Sequence, residues 1–228
     1  MIQTLDLILN INKPLHWTSF DCCNALKRNY PRKTKIGHAG TLDPLASGVL
    51  IIAIGKATKR IDELQAQTKQ YLAQITLGAT TITYDAEFYP ESINNTSNTS
   101  KDQILNTIQK FVGNIEQLPP IYSALKIDGK RAYELARKGQ EVVLKPRVIT
   151  IDSIELKDYE CNDGITKFSI LVTCSKGTYI RSLANDIGKE LGTGAFLSGL
   201  IRTASGDYRV EDSIDLATLV EFKNPIKR

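Results

Sequence analysis

The chain has 228 residues, 42% hydrophobic and 24% charged, which suits one large domain or two small ones with a sizeable core. Lys and Arg exceed Asp and Glu by only four, so where the charge lies matters more than its total. Four cysteines without CxxC spacing, and two histidines (His16 and His38) paired with none of them, argue against a metal site or a disulfide framework. With no signal-peptide pattern and no apolar run near 18 residues, a cytoplasmic protein free of the membrane is expected.

In chain order, Leu5 to Ile11 reads as a strand entering Asn12-Lys13-Pro14. Thr18 or Ser19 can cap a helix carrying Phe20, Cys23, Leu26 and Tyr30 at helical spacing. A glycine-rich loop feeds an apolar strand, Val49 to Ile54, and a short helix is expected around Ala57–Leu64. Lys69 to Gly78 alternates, with Tyr71, Ala73, Ile75 and Leu77 on one face, as a half-buried strand does. The polar stretch 92–100 predicts a surface loop. Ser100 and Gln103 then form a capping box before a helix whose Ile104, Leu105, Ile108, Phe111 and Val112 share a face, ended by Gly113.

Pro119-Pro120 opens an irregular segment with Asp128-Gly129 as a turn and a short helix to Gly139. Strands are expected at about 141–144, 147–157 and 165–174, the last two joined through Asn162-Asp163-Gly164 in a hairpin. Ser175-Lys176-Gly177 turns into a helix with Ile180, Leu183, Ile187 and Leu191 inward, stopped by Gly192. A strand near 196–203, a turn at Gly206-Asp207 and a helix from Ser213 complete the chain. Strands and helices do not alternate strictly. The expected class is α+β, with a mixed, mainly antiparallel sheet flanked by helices and loops.

The stretch Gly37 to Leu50, GHAGTLDPLASGVL, is longer and richer in glycine than a simple Asp-Pro turn requires. Pro44 lacks an N–H and pushes Asp43 towards extended backbone, which holds its carboxylate in one place. A lone fixed carboxylate can act as a general base, a nucleophile or half of a carboxylate pair. No second carboxylate recurs in a similar setting, and no HExxH, P-loop, nucleophile elbow or GxGxxG occurs.

Two further stretches carry functional signals. Tyr71 stands at a strand start, where it is either a core aromatic or a ring projecting into a cleft. Arg181 falls in the first turn of a helix, where the dipole disfavours positive charge, so either it is simply solvated or a carboxylate partner holds it there. Charge is also segregated. Residues 13–36 hold six Lys or Arg against Asp21 alone, and residues 121–147 hold seven against three acids. Such segregation marks either a polyanion-binding face or a merely solvated one.

Taken together, the stretches NKPLHWTS, GHAGTLDPLASGVL, KQYLAQITLG, PPIYSALKIDGKRAYELARKG, CSKGTYIRSLANDIG and LIRTASG resemble the bacterial TruB-type tRNA pseudouridine synthases. They run in the family's order over nearly the whole chain. The resemblance implies the pseudouridine synthase catalytic fold and isomerisation of uridine 55 in the tRNA T loop, without metal or cofactor. It makes Asp43 the catalytic aspartate, Arg181 its ion-pair partner and Tyr71 the ring stacked on the target base. His38 would help draw the uridine out, Leu200 would wall the base pocket, and Lys13-Pro14 would buttress the site. Asp85 and Tyr179 join the substrate-binding set. Lys126, Lys130, Arg131 and Lys138 would grip RNA backbone from a clamping insertion at about 121–147.

The implied organisation is one catalytic domain over 1–228, with no room for a C-terminal PUA domain. The implied partner is the tRNA T stem-loop, bound by a monomer without guide RNA. Departures from the family pattern are His16 in place of glycine, Asn12 in place of aspartate, Ile82 and Phe88 around TITYDAEF, and Ile201 in place of arginine. Two other functions fit the same residues less fully: an RNA chaperone that folds tRNA without turnover, and a nucleotide hydrolase using Asp43. Which atom Asp43 attacks, C1′ or C6, or whether it removes a sugar proton, is left open.

Overall fold

The computed structural model describes residues 6–90, 92–123, 126–127, 130–131 and 144–221. From the N-terminus the elements are β1 (Leu7–Lys13), α1 (Ser19–Lys27), β2 (Ile36–His38), β3 (Ala46–Ile54), α2 (Ile61–Ala66) and β4 (Lys69–Leu77). Then come α3 (Lys101–Gln109), β5 (Gly113–Gln117) and two short strands, β6 (Lys126–Ile127) and β7 (Lys130–Arg131). β8 (Arg147–Asn162), β9 (Ile165–Cys174), α4 (Ile180–Glu190), β10 (Ala195–Ser205), β11 (Tyr208–Arg209), β12 (Ile214–Asp215) and α5 (Leu216–Glu221) follow. The class is α+β with a mixed, mainly antiparallel sheet, as expected. Two compact units divide the chain: Met1–Leu72 with Leu200–Arg228, and Ala73–Gly199. Among the described residues, no helix is long and apolar enough to cross a membrane.

In the first unit the strand order is β12-β1-β3-β10, and β3 is its centre. Along one edge β3 pairs antiparallel with β1, from Lys13↔Gly48 to Leu7↔Ile54. Its other edge is shared. β2 pairs antiparallel with the last residues of β3, while β10 runs parallel to the first, from Leu200↔Ala46 to Arg202↔Gly48. Residues 39–45 therefore emerge where one partner of β3 gives way to the next.

Val49 to Ile54 are fully buried, which explains why this run is apolar throughout and does not alternate. Burying each of its Val, Leu and Ile side chains contributes roughly 1.5–3 kcal/mol before chain entropy is counted. Val49 and Ile51 pack with Ala39 and Leu64, and Ile8, Ile61, Tyr208 and Val210 close around them.

Local signals were resolved by small competitions. Thr18 is the helix cap and forms a capping box with Asp21, which leaves the Ser19 hydroxyl for other work. α1 buries Ser19, Cys22, Cys23, Ala25 and Leu26, so Phe20 falls off the buried stripe and is 65% exposed, contrary to the expected inward face. The expected helix at Ala57 begins only at Ile61, after a tight 3-10 turn over Gly55–Arg60, where the Thr58 hydroxyl donates to Gly55 O at 2.7 Å. The expected helix at Ser213 is preceded by β12, because the free edge of β1 at Ile11 and Asn12 takes Ile214 and Asp215 as a parallel partner. His16 has φ of 65°, the left-handed region, which accounts for the glycine expected there from the resemblance.

In the second unit the order is β10-β4-β9-β8-β5. β8 and β9 form the expected hairpin. Asp163 and Gly164 both take positive φ, 52° and 78°, as a two-residue turn between right-twisted strands demands. α3 has the expected Ser100–Gln103 capping box but ends at Gln109, so Phe111 and Val112 fall outside it. Gly113, at φ of 104°, starts β5. The turn expected at Asp128-Gly129, the helix to Gly139 and most of the strand at 141–144 lie outside the described residues.

Ile51→Ala should destabilise the protein by about 2–5 kcal/mol, and Ile51→Val by about 0.5–1.5 kcal/mol, in denaturant unfolding. Both follow from the methylenes lost by a side chain with no exposure.

Candidate active site

Asp43 is half-buried at the middle of the segment between β2 and β3. The peptide groups on both sides of it are held. Before it, the Leu42 N–H donates to the Ser19 hydroxyl oxygen at 2.8 Å, and that hydroxyl donates to Leu42 O at 3.1 Å. After it, the His16 N–H donates to Pro44 O at 2.7 Å, and the Ala46 N–H donates to Asp43 O at 3.0 Å. The carboxylate thus projects from a backbone fixed by α1, by the turn at His16 and by the start of β3.

Two buried cations complete the frame. Arg202 is 1% exposed; its Nε donates to Val49 O at 2.6 Å and its Nη2 to Gly40 O at 3.2 Å, so one side chain ties both limbs of the loop together. Gly48 has φ of 97°, and a Cβ there would collide with the Arg202 backbone, so this position needs glycine on two counts. Lys13 is fully buried, with Nζ donating to Trp17 O at 2.6 Å and Pro14 O at 2.8 Å and reaching Pro44 O at 3.5 Å. Burial lowers its pKa to about 8, with the Arg202 guanidinium adding to the effect and the Asp43 carboxylate opposing it. Lys13, expected to buttress the site, meets carbonyls on both sides of the turn at His16. Arg202 was not singled out from the sequence, and Ser19 only as a possible helix cap, although both stand inside motifs that were.

His38 ends β2, where it pairs with Ile52. Burial, and then the Arg202 charge, push its pKa below the usual histidine value, so the imidazole is neutral at pH 7. Tyr71 lies on the buried face of β4 with only 9% exposure. Leu200 is half-buried and pairs with Ala46, three residues past Asp43. Asp43, His38, Lys13, Tyr71 and Leu200 all belong to the first unit.

In the second unit, Arg181 sits in the first turn of α4 and is 5% exposed. Its Nη1 lies 3.6 Å from Asp85 Oδ2 and donates to Thr83 O at 3.1 Å, while Nη2 donates to Tyr122 O at 3.0 Å. Asp85 is itself organised. Its Oδ1 accepts from the Thr83 hydroxyl at 2.6 Å and from the Glu87 N–H at 3.0 Å. Asp85, expected in the substrate-binding set, thus stands beside Arg181 with its other oxygen held by Thr83 and Glu87. The neighbouring Ser182 hydroxyl donates to Leu118 O at 2.8 Å, so α4 secures the segment running to Tyr122 at two points.

Tyr179 precedes α4. The buried Gln117 amide accepts from its N–H at 2.8 Å and donates to its carbonyl at 3.0 Å, replacing a strand partner. The Arg147 guanidinium stacks 4.4 Å from the Tyr179 ring centroid and donates to Gly177 O. Gln117 carried no sequence signal. Lys126 and Arg131 face each other across the β6–β7 pair, with Ile127 opposite Lys130. Lys138 lies outside the described residues.

Comparison with known proteins adds the following. A family model described as TruB family pseudouridylate synthase (N terminal domain) matches residues 27–180, and one described as tRNA pseudouridylate synthase B C-terminal domain matches residues 181–226. The chain is 51% identical over 220 residues to a tRNA pseudouridine synthase B of Bacteroides fragilis, covering 94% of this chain and 93% of that one. Its likeness to the same-named protein of Phocaeicola vulgatus is 50% over 220 residues, covering 94% and 92%. Among solved structures, a chain in the crystal structure of a Cbf5-Nop10-Gar1 complex aligns with a TM-score of 0.71 at 31% identity. That match covers 96% of this chain, which spans 54% of the solved one.

The Lys13 shift has a testable sign. The folded state holds this proton less tightly than the unfolded chain, so burying the cation costs stability below pH 8, and the cost is relieved as pH rises from about 8 to 10.5. The stability of wild type minus that of Lys13→Met should rise across that window, by on the order of 3 kcal/mol, in paired denaturant titrations. A flat difference would show that Lys13 keeps its proton to high pH.

Proposed function

The chain belongs to the TruB family of pseudouridylate synthases, and we propose that it converts uridine 55 in the T loop of tRNA to pseudouridine. The observation that carries this reading is the clamped Asp43 loop: one carboxylate on a backbone held from both sides, in a chain about half identical to proteins named tRNA pseudouridine synthase B. Identity to these bacterial proteins well exceeds identity to the Cbf5 complex chain, which favours a stand-alone enzyme acting on tRNA in the cytoplasm without guide RNA.

The reaction breaks the C1′–N1 bond, turns the uracil and joins C5 to C1′. C5 gives up its hydrogen and N1 gains one, so nothing is oxidised or reduced. A folded T loop hides its uridine, and the base must leave the stack before a carboxylate can reach it. Neutral His38 offers hydrogen bonding during extrusion without adding charge, and Tyr71 gives the flipped base a stacking surface to offset what it loses. Asp43 assists bond cleavage by attack at C1′, by attack at C6 or by taking a sugar proton. Preorganisation favours each route, because a fixed carboxylate needs no rearrangement as charge develops. Arg181 serves the chemistry through its charge and through the segment it anchors at Tyr122. Leu200 walls the base, with Lys13, Asp85 and Tyr179 supporting.

Excess enzyme with EDTA should release tritium from unmodified tRNA carrying 5-tritiated uridine, and the product should map to position 55. No release, where a known synthase gives it, would end the assignment. Asp43→Asn should bind tRNA and lose turnover, since it removes the charge and nearly keeps the size. Turnover within about tenfold of wild type, or about 1.4 kcal/mol in barrier, would remove Asp43 from the chemistry. Arg181→Lys should also lose much activity, because an ammonium cannot reproduce a forked set of contacts.

Lys126, Lys130, Arg131 and Lys138 are proposed to hold phosphates from the insertion at about 121–147. Neutralising Lys130, Arg131 and Lys138 together should weaken all tRNAs alike and lower the slope of log affinity against log salt by roughly 2–3. An unchanged slope would make the segment a solvated face.

A further inference from the structure

The cations between Lys27 and Lys35 have no role in the site described above. Lys27, Arg28, Arg32, Lys33 and Lys35 are all exposed, and among the described residues none of them pairs with a carboxylate. The one acid of this region, Asp21, is already used: it accepts from the Thr18 N–H at 2.9 Å and from the Thr18 hydroxyl at 2.6 Å in the helix cap. A helix C-terminus accounts for Lys27 and Arg28 through the dipole, but Arg32, Lys33 and Lys35 lie beyond its last turn.

The backbone carrying these charges is ordered. The Asn29 amide donates to Leu219 O at 3.1 Å, the Thr34 N–H donates to Pro31 O at 2.8 Å, and Lys35 O accepts from the Gly55 N–H at 2.8 Å. The cations therefore stand on a fixed frame, which lowers the entropy lost when a ligand binds. Phe20, 65% exposed, and Asn24 lie on the same outer face of α1 as Lys27 and Arg28, at positions i, i+4, i+7 and i+8. An unneutralised row of cations beside an exposed ring is the pattern for a nucleic-acid backbone and its bases.

Position sets what it can touch. Ser19 opens α1 and is bonded to Leu42, the neighbour of Asp43. At 1.5 Å per residue, Lys27 stands about 12 Å further along the helix axis. That is too far to meet the reacting base and suits the phosphates flanking it. We propose that the outer face of α1 and the segment to Lys35 form a second RNA-binding surface, one that holds the phosphate backbone of the substrate outside the modified loop. The proposal rests on the reading that the substrate is RNA. Its contacts are to phosphates, so it adds affinity without base specificity.

The test is the salt dependence of tRNA binding, by fluorescence anisotropy, for Lys27→Gln/Arg28→Gln/Arg32→Gln. A control removes three exposed lysines that are ion-paired elsewhere, Lys110→Gln/Lys157→Gln/Lys189→Gln. The first variant should lower the slope of log affinity against log salt by about 2–3 and weaken binding alike for tRNAs of different sequence. The control should keep the wild-type slope, and single-turnover tritium release at saturating enzyme should be unchanged in both. A wild-type slope in the first variant, or an equal fall in the control, overturns the proposal. So does binding to phosphatidylserine vesicles that the first variant loses while its tRNA affinity stays at wild type, which would assign the face to a lipid surface. Loss of slope in a protein that binds tRNA yet releases no tritium would keep the RNA surface and remove the catalytic reading.

Discussion

Two buried cations, Lys13 and Arg202, must find hydrogen-bond acceptors, because a charged group taken out of water without partners costs many kcal/mol. The acceptors they use are backbone carbonyls of Pro14, Trp17, Gly40 and Val49, with Pro44 at longer range. Satisfying the cations therefore turns those carbonyls inward and fixes the chain on either side of Asp43. The geometry of the carboxylate is a consequence of that requirement. β3 supplies the rest: its apolar residues exclude water, so the Val49 carbonyl bonded to Arg202 is sheltered from competing solvent.

The same cations shape the electrostatics of the first unit. Burial, and after it the Arg202 charge, lowers the proton affinity of His38, and Lys13 places charge opposite in sign to a carboxylate close to the Asp43 loop. Such a field acts before substrate arrives and needs no reorganisation afterwards. Packing against Arg202 and positive φ explain why glycine recurs in this loop: at Gly40 and Gly48 a side chain would strain the backbone.

The second unit solves a comparable problem with a different partner. An arginine near a helix N-terminus opposes the dipole, and Arg181 is buried as well. Asp85 supplies the balancing charge, and two carbonyls take up guanidinium protons. Asp85 can do this because Thr83 and the Glu87 N–H hold its other oxygen. A substitution at any of these positions would be felt at Tyr122.

Much of this was legible in the residues themselves. The apolar run at 49–54, the alternation at 69–77, the Ser100–Gln103 capping box and the Asp-Gly hairpin turn each depend on chemistry within a few residues, and each took the expected form. Asp43 stood out for the same reason, since glycine spacing and the following proline act locally. What the sequence could not determine were choices between partners far apart in the chain. Whether Thr18 or Ser19 caps α1 is settled by Leu42, which needs the Ser19 hydroxyl. Whether residues 214–215 are strand or helix is settled by the free edge of β1. Arg202 reads as one more basic residue until Val49 and Gly40 are brought to it across more than 150 positions, and Asp85 finds Arg181 only after the chain has folded. Local pattern determines which elements form. Only tertiary structure decides which buried polar groups satisfy one another, because that depends on where distant backbone comes to rest.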